Sequence, residues 1–226
     1  MTGNVAIYWF RKAHRLHDNP ALNYALENSV KCYPIFILDP WFVQNYKVGP
    51  NRWRFLQQSL QDLNTRLERK KSRLLVLRGP ALDILEQYMT KWKVNLLCYE
   101  NDTEPYSRVR DAQVNELASR LGVRVETRWT HTLYDPNYLL KRNGNKVPYT
   151  YVSMGALLSK IGDPERPVPE YAHDFPALTD VDLVQGAHPV PTLQELGVDD
   201  KECGPLLYPG GVREALRGLT ESLMKE

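Results

Sequence analysis

The chain has 226 residues, a formal net charge of +2 and an ordinary globular composition, with 42% hydrophobic and 25% charged residues. This balance argues against a globally disordered chain and against a dedicated nucleic-acid-binding protein, which usually carries a strongly basic surface. Three cysteines without metal-type spacing, no amino-terminal signal pattern and no apolar run of about 20 residues predict a soluble, intracellular protein.

The first 130 residues alternate between short apolar segments and amphipathic segments. The predicted strands cover residues 4–10, 31–39, 73–77, 94–100 and 123–128. Helices are predicted to begin at Pro20 and Pro105 and to contain the apolar periods Trp53–Leu67 and Leu82–Trp92. This alternation is typical of a doubly wound, Rossmann-like α/β fold with five parallel strands in the order 3-2-1-4-5. Its ligand cleft is expected at the carboxyl ends of strands one and four.

The sequence changes character after Thr130. Turn signals such as Asp135-Pro136 come first, a helix is possible over Tyr151–Ile161, and residues 162–209 hold half of the 16 prolines. An amphipathic helical pattern returns over residues 211–226, with no evident surface to bury it. We therefore predict an α/β domain over 1–130, a proline-rich linker over 131–209 and the start of a second domain over 210–226.

Charged and aromatic residues follow the predicted strands beside the cleft. They are Arg11 and Lys12 after strand one, Asp39 and Trp41 after strand two, and Glu100, Asn101, Asp102 and Glu104 after strand four. Aromatic faces next to hydrogen-bonding groups suit a planar, polar, ring-containing ligand. Structural alternatives stay open. Arg11 could pair with a loop carboxylate, Asp39 could form an Asx turn, and Asp102 and Glu104 could cap the next helix.

Motifs of phosphate, hydrolytic and metal chemistry are absent from the sequence. The chain has no GxGxxG or GxxxxGK[ST] loop, no GxSxG elbow and no HExxH or similar histidine spacing. We therefore predict no catalytic residue and no metal ligand in this chain.

Six longer segments carry a resemblance to a known family. They are WFRKAHRLHDNPAL (9–22), IFILDPWF (35–42), VGPNRWRFLQQSLQDLNTRL (48–67), SRLLVLRGPALDIL (72–85), ENDTEPYSRVRD (100–111) and HTLYDP (131–136). In these segments the chain resembles the amino-terminal half of the photolyase/cryptochrome family. The details resemble its animal-type branch, the (6-4) photolyases and animal-like cryptochromes.

The resemblance implies an α/β antenna domain that precedes a helical FAD-binding domain, which would begin over residues 210–226 and is missing here. Family members use blue light absorbed by FAD for DNA repair or for signalling, and their α/β domain can hold an antenna chromophore that passes energy to FAD. The resemblance thus implies a flavoprotein parent in the nucleus or cytoplasm, without a membrane partner. It also implies that DNA is contacted only through the full-length parent.

The cofactor-binding residues implied by the resemblance come from the deazaflavin-type pocket of the family. They are Arg11, Phe36, Ile37, Leu38, Asp39, Arg52 and Asp102. The folate-type carboxylate position falls at Tyr106 or Ser107, which are not carboxylates. The resemblance therefore favours 8-hydroxy-5-deazaflavin, or a flavin in the same pocket, over folate. An empty pocket is also compatible with it, as in animal cryptochromes.

Three functions stay open at this point. The favoured one is an antenna-chromophore-binding domain. The second is a piece of a light-driven DNA repair enzyme, a (6-4) type photolyase. The third is a signalling or circadian interaction module, with Arg11, Asp39 and Trp41 as its docking surface. One departure is that the family's Pro-Gly-Gly-Glu is here Pro209-Gly210-Gly211-Val212, without the glutamate.

Overall fold

The computed structural model describes residues 3–41, 48–176, 178 and 188–224. Strands and helices alternate up to residue 128, and further helices follow. The strands are β1 (Val5–Phe10), β2 (Lys31–Leu38), β3 (Leu75–Arg78), β4 (Leu96–Glu100) and β5 (Arg124–Arg128). The helices are α1 (Pro20–Glu27), α2 (Pro50–Arg69), α3 (Ala81–Lys91), α4 (Pro105–Arg120), α5 (Pro136–Arg142), α6 (Tyr151–Ile161) and α7 (Val212–Leu223).

The five strands form one parallel sheet in the order β3-β2-β1-β4-β5, which confirms the predicted doubly wound topology. β1 lies at the centre, where Ile7 is opposite Tyr33 of β2 and Leu97 of β4. The chain leaves β1 toward β2 and later enters β4 on the other side of β1. The crevice of such a fold therefore lies at the carboxyl ends of β1 and β4.

Both faces of the sheet are largely buried over β1 to β4, as expected for a parallel sheet that helices cover, whereas the edge strand β5 is partly exposed. Because successive strand side chains point to opposite faces, the residues of β1 divide between two cores. Ile7 and Trp9 pack with residues of α3 and α4, whereas Tyr8 and Phe10 pack with residues of α1 and α2. The central strands are thereby packed between two helical layers.

Helix α1 begins where the Asn-Pro dipeptide predicts it. The Asn19 side-chain oxygen accepts a hydrogen bond from the Leu22 N–H at 3.2 Å and another from the Tyr8 hydroxyl at 2.8 Å. Burial raises the pKa of Tyr8, so this hydroxyl remains a donor. The cap therefore fixes the helix start and ties it to the central strand.

The segment after β5 contains a helix, α5, at a position where the sequence pattern predicts a turn. α5 begins at Pro136, and the Asp135 side chain caps it. An Asp-Pro dipeptide supplies both an N-cap and the preferred first helical residue, so it marks helix starts as well as turns. α6 forms over the predicted residues, with Thr150 as its N-cap.

The described part of the proline-rich segment lies along α2 and the edge of the sheet. The Phe175 N–H donates to the Lys70 carbonyl at 2.9 Å, and the Phe175 ring is buried. Further on, the His188 carbonyl accepts a hydrogen bond from the Val76 N–H of β3 at 2.9 Å. The segment thus satisfies a backbone donor on an edge strand.

Helix α7 is attached to α2 through its first turn. The Val212 N–H donates to the Asp62 carboxylate at 2.9 Å, and the Gly210 N–H donates to Gln58 at 2.9 Å. Gly210 lies so close to the Phe55 carbonyl oxygen that a Cβ atom would overlap it, which explains the glycine. The large apolar residues beyond this turn are exposed: Leu216, Leu219, Leu223 and Met224.

The cysteines are all free, and Cys32 and Cys98 are buried within the sheet. Burial raises the pKa of Cys98 to about 12, so this side chain behaves as a small hydrophobe. Among the described residues, no three His, Cys, Asp or Glu side chains are grouped to hold a metal ion. No helix in the same part of the chain has the length and apolarity needed to cross a membrane.

Candidate functional site

Glu100, the last residue of β4, fixes the loop that follows β1. Its side chain is buried, and Oε1 accepts hydrogen bonds from the backbone N–H groups of Lys12 and Ala13. Oε2 accepts a hydrogen bond from the Thr130 hydroxyl. Because β1 and β4 are neighbours, one carboxylate connects three chain segments and positions Arg11 at the crevice.

Arg11, Lys12, Asp102, Arg110 and Asp111 form an ion-pair cluster at the carboxyl ends of β1 and β4. Arg11 Nη1 donates to Asp111 Oδ2 at 2.8 Å, and Arg11 Nη2 lies 3.6 Å from Asp102 Oδ2. Lys12 Nζ donates to Asp102 Oδ1 at 2.9 Å, and Arg110 Nη2 donates to Asp111 Oδ1 at 3.1 Å. The Arg11 and Asp102 side chains are 5% and 3% exposed, so this pair is shielded from water.

Two guanidinium groups of the ion-pair cluster lie over Trp9. The Cζ atoms of Arg11 and Arg110 are 5.1 Å and 4.7 Å from the ring centroid, within the range of cation–π contacts. Burial, and then the like charge of Arg11, lower the pKa of Arg110. Arg11 Nη2 is buried and has no hydrogen-bond partner among the described residues.

An open cleft of about 300 Å³ adjoins the ion-pair cluster beside the first turns of α3 and α4. We call it the aromatic cleft. Residues that line it include Asp39, Trp41, Leu82, Tyr106, Val109 and Arg110. Its volume is at the lower end of the range for small-molecule sites, about 300–1,000 Å³.

Asp39 organises the two rings of the aromatic cleft. Its Oδ1 accepts a hydrogen bond from the backbone N–H of Trp41 at 3.0 Å, and its Oδ2 accepts one from the Tyr106 hydroxyl at 2.7 Å. The two rings are stacked, with centroids 3.5 Å apart and an interplanar angle of 10°. Burial and the Asp39 carboxylate raise the pKa of Tyr106, which keeps its hydroxyl a donor. Arg110 Cζ lies 5.4 Å from the Tyr106 ring.

The structural alternatives weighed for these side chains are largely observed. Arg11 pairs with carboxylates, although Asp111 belongs to α4 and not to a loop. Asp39 forms the Asx turn, and Asp102 accepts the Glu104 N–H at 3.1 Å at the start of α4. The side chain of Glu104 makes no capping hydrogen bond, so the alternative that it caps α4 is wrong.

The structure separates the residues predicted to bind a cofactor. Arg11 and Asp102 meet in the ion-pair cluster, and Asp39 lines the aromatic cleft. At the end of β2, Ile37 faces the core beneath α3, whereas Phe36 and Leu38 face the opposite core. Arg52 lies in the first turn of α2, is exposed and does not line the aromatic cleft.

The residues of the aromatic cleft fit a planar ring-containing group. Asp39 is an acceptor, Arg110 is a donor, and Tyr106 and Trp41 supply ring faces. Arg11, Asp39 and Asp102 already bind protein partners, so they would contact such a group only after rearrangement.

Sequence reasoning missed the contribution of α4 to this site. Tyr106 entered only as a position that lacks a carboxylate, and Arg110 and Asp111 were not considered. The available signal was the spacing of Tyr106, Arg110 and Gln113, since steps of three and four place side chains on one helix face. A helix that begins at the end of strand four presents such a face to the crevice.

We expect the Asp102→Asn substitution to weaken the acid dependence of stability. Burial acts to raise the pKa of Asp102, but hydrogen bonds from Lys12, the Glu104 N–H and Ser107 outweigh it and hold the pKa at about 2. A depressed folded-state pKa stabilises the protein above the unfolded value and loses this effect as pH falls, here from about pH 4 to about pH 2. Urea unfolding at several pH values measures how steeply the free energy of unfolding falls with decreasing pH. The substitution Asp163→Asn, at an exposed residue, is the control. Equal slopes for both variants would contradict the assignment.

Comparison with known proteins identifies the family. The family model described as DNA photolyase matches residues 6–173. Cryptochrome-2 of Gallus gallus is 39% identical over 224 residues, which cover 98% of this chain and 38% of that protein. Cryptochrome-1 of Mus musculus is 39% identical over 230 residues, which cover 99% of this chain and 38% of that protein. The chain therefore spans well under half the length of these relatives.

Solved structures agree on the fold. A photolyase from Sulfolobus tokodaii, solved with two FAD molecules, superposes with a TM-score of 0.76 at 25% identity, over 94% of this chain and 45% of that chain. A Synechocystis cryptochrome superposes with a TM-score of 0.81 at 21% identity, over 96% of this chain and 45% of that chain. The chain belongs to the DNA photolyase/cryptochrome family and is an N-terminal α/β domain of that family.

Proposed function

We propose that this chain is the antenna-chromophore-binding α/β domain of a blue-light photolyase/cryptochrome flavoprotein. The observation that carries the proposal is the aromatic cleft at the carboxyl edge of the sheet, which combines stacked rings, a carboxylate and a guanidinium. The Sulfolobus tokodaii photolyase holds two FAD molecules, which implies a novel light-harvesting cofactor in that protein. A planar pigment in the aromatic cleft of this chain is consistent with that precedent.

The side chains of the aromatic cleft offer different kinds of contact to a ligand. Asp39 accepts hydrogen bonds from N–H or O–H groups, and Arg110 donates to carbonyl groups at the ring edge. Leu82 and Val109 supply apolar surface, and the ring of Tyr106 supplies a stacking face. Arg11, Arg52 and Asp102, with the β2 residues 36–38, remain predicted ligands from the family pattern. When bound, the chromophore absorbs near-ultraviolet or blue light and transfers the excitation to FAD in the rest of the parent.

We favour an 8-hydroxy-5-deazaflavin or a flavin over a folate. The hydroxyls at the folate-type positions already donate to protein carboxylates, Tyr106 to Asp39 at 2.7 Å and Ser107 to Asp102 at 2.8 Å. Neither position offers a carboxylate to a folate ring. A tricyclic ring needs stacking and edge hydrogen bonds, which the aromatic cleft supplies.

Pigment retention tests this proposal. The purified 226-residue chain is mixed with 8-hydroxy-5-deazariboflavin, riboflavin or methenyltetrahydrofolate, and the absorbance kept after gel filtration is measured. We expect retention of a deazaflavin or flavin and, for Val109→Trp, binding weaker by about tenfold or more, or about 1.4 kcal/mol, because the new ring fills the cleft. Val30→Trp is a matched control, since Val30 and Val109 are 61% and 63% exposed.

Two results would count against the proposal. A folded chain that keeps none of the three pigments would remove the antenna function. Equal binding by Val109→Trp and Val30→Trp would place the pigment outside the aromatic cleft. Circular dichroism of each variant establishes that the comparison is between folded proteins.

A second candidate is a cryptochrome-type signalling or circadian module that binds a partner protein at the same surface. The curated relatives at 39–41% identity are cryptochromes, which favours it. The side chains of Arg11 and Asp39 are both buried, so the half-buried Trp41 would carry most of the docking contact, and Asp39 would act by positioning Trp41. A pigment-free chain whose partner contacts are lost on Asp39→Ala would support this function. In either case we propose that FAD, and DNA where the parent repairs it, are bound by the rest of the parent, and that this chain catalyses nothing by itself.

A further inference from the structure

Tyr106 has one of its ring faces covered by a neighbouring ring of this chain. Trp41 stacks on this face with a centroid distance of 3.5 Å. The Cζ atom of Arg110 lies 5.4 Å from the Tyr106 ring centroid and also contacts the Trp9 ring. A planar ligand that stacks on an aromatic ring occupies a layer of about this thickness. The indole of Trp41 therefore fills the place that such a ligand would take.

Asp39 holds this self-stacked state through both of its oxygens. Oδ1 fixes the backbone of Trp41 at 3.0 Å, and Oδ2 fixes the hydroxyl of Tyr106 at 2.7 Å. Asp39 is itself 8% exposed, and hydrogen bonds to a shielded carboxylate are stronger than neutral ones. One side chain thus determines the position of both rings and is at the same time occupied as an acceptor.

We infer that Tyr106 and Asp39 form a latch that determines whether the aromatic cleft admits a planar ring, an inference that rests on the proposed function. In the latched state the Trp41 indole occupies the stacking position on Tyr106, and the Asp39 carboxylate accepts hydrogen bonds from the protein. A deazaflavin or flavin enters when the Tyr106 hydroxyl leaves Asp39 and Trp41 moves off the ring. Asp39 then accepts hydrogen bonds from the ligand. Tyr106 is therefore a specificity-determining residue of the site.

The Tyr106→Phe substitution separates the latch from the stacking face, because it removes the hydroxyl and keeps the ring. We expect this variant of the full chain to bind 8-hydroxy-5-deazariboflavin about tenfold more tightly than the parent chain, since the hydrogen bond to Asp39 no longer has to break. The gain should lie in the association rate, which stopped-flow fluorescence measures. Tyr138→Phe, at a half-exposed tyrosine of α5, is the matched control and should change neither constant.

A ligand-free measurement tests the latch independently of the proposed function. The quenching of Trp41 by acrylamide is obtained as the difference between each protein and its Trp41→Phe derivative. We expect the Trp41 quenching constant to rise about twofold in Tyr106→Phe, because the stack loses its hydrogen-bonded anchor. An unchanged quenching constant would overturn the latch, whether or not any pigment binds.

The binding results distinguish the two ideas. If the parent chain binds the pigment and Tyr106→Phe binds it equally or more weakly, the latch is wrong and the antenna function stands. If no variant binds any pigment while Trp41 quenching rises as expected, the latch holds the rings together and the antenna function fails. Tighter binding together with increased quenching supports both.

Discussion

Replacing Glu100 by alanine is expected to lower the free energy of unfolding by about 3 kcal/mol or more, because a buried donor left without an acceptor costs about 1–3 kcal/mol. Three donors lose their partner in this variant: the backbone N–H groups of Lys12 and Ala13 and the hydroxyl of Thr130. Glu100 itself is 1% exposed, so water cannot replace the carboxylate without opening the sheet edge. Urea denaturation followed by tryptophan fluorescence measures the loss.

Two further variants make the Glu100 prediction specific. Glu100→Gln keeps one acceptor oxygen and should lose about half as much stability, since its amide group cannot accept. Glu104→Gln changes a side chain that is 56% exposed and bonded to Lys12, and should shift stability by less than about 1 kcal/mol. If Glu100→Ala were as stable as Glu104→Gln, the role of Glu100 in holding the loop after β1 would be refuted.

Replacing Arg11 by alanine is expected to destabilise the fold by about 3 kcal/mol, because removing one member of a buried ion pair leaves the other uncompensated. The Arg11 side chain is 5% exposed, and the side chain of Asp111, its partner at 2.8 Å, is 15% exposed. In a double-mutant cycle, the variant that carries both Arg11→Leu and Asp111→Leu should lose less stability than the sum of the losses in the two single leucine variants. The difference should be about 0.5–3 kcal/mol. Additive losses in this double-mutant cycle, measured by urea unfolding, would show that the two side chains do not interact.

This second prediction bears directly on how the site is tested. Arg11 is the ligand that the family resemblance names first, so its removal is the obvious experiment on pigment binding. A pigment-free Arg11→Ala protein would be uninformative if the ion-pair cluster had collapsed. The exposed residues of the aromatic cleft, such as Val109, report on the ligand without disturbing buried charges.

The sequence determined the fold because its signals are local. Short strand segments of four to eight residues, Asn19-Pro20 at a helix start and the period from Trp53 to Leu67 each depend on neighbours along the chain. Alternation with short connections then admits few topologies, since crossovers are right-handed. The error at Asp135-Pro136 has the same origin, because this dipeptide is compatible with both a turn and a helix N-terminus.

The tertiary structure decided what each polar residue in the crevice does. Sequence placed Arg11, Asp39 and Asp102 at strand ends, but their partners Asp111, Tyr106 and Lys12 come from segments up to 100 residues away. Whether a hydrogen bond or an ion pair forms depends on differences of a few tenths of an ångström in the distance between two side chains. The spacing of residues along the chain does not encode such differences. The sequence by itself therefore determined the doubly wound sheet, its crevice and the family resemblance. Only the packing of α4 against β1 and β4 decided that the charges are paired internally and that two stacked rings line the cleft.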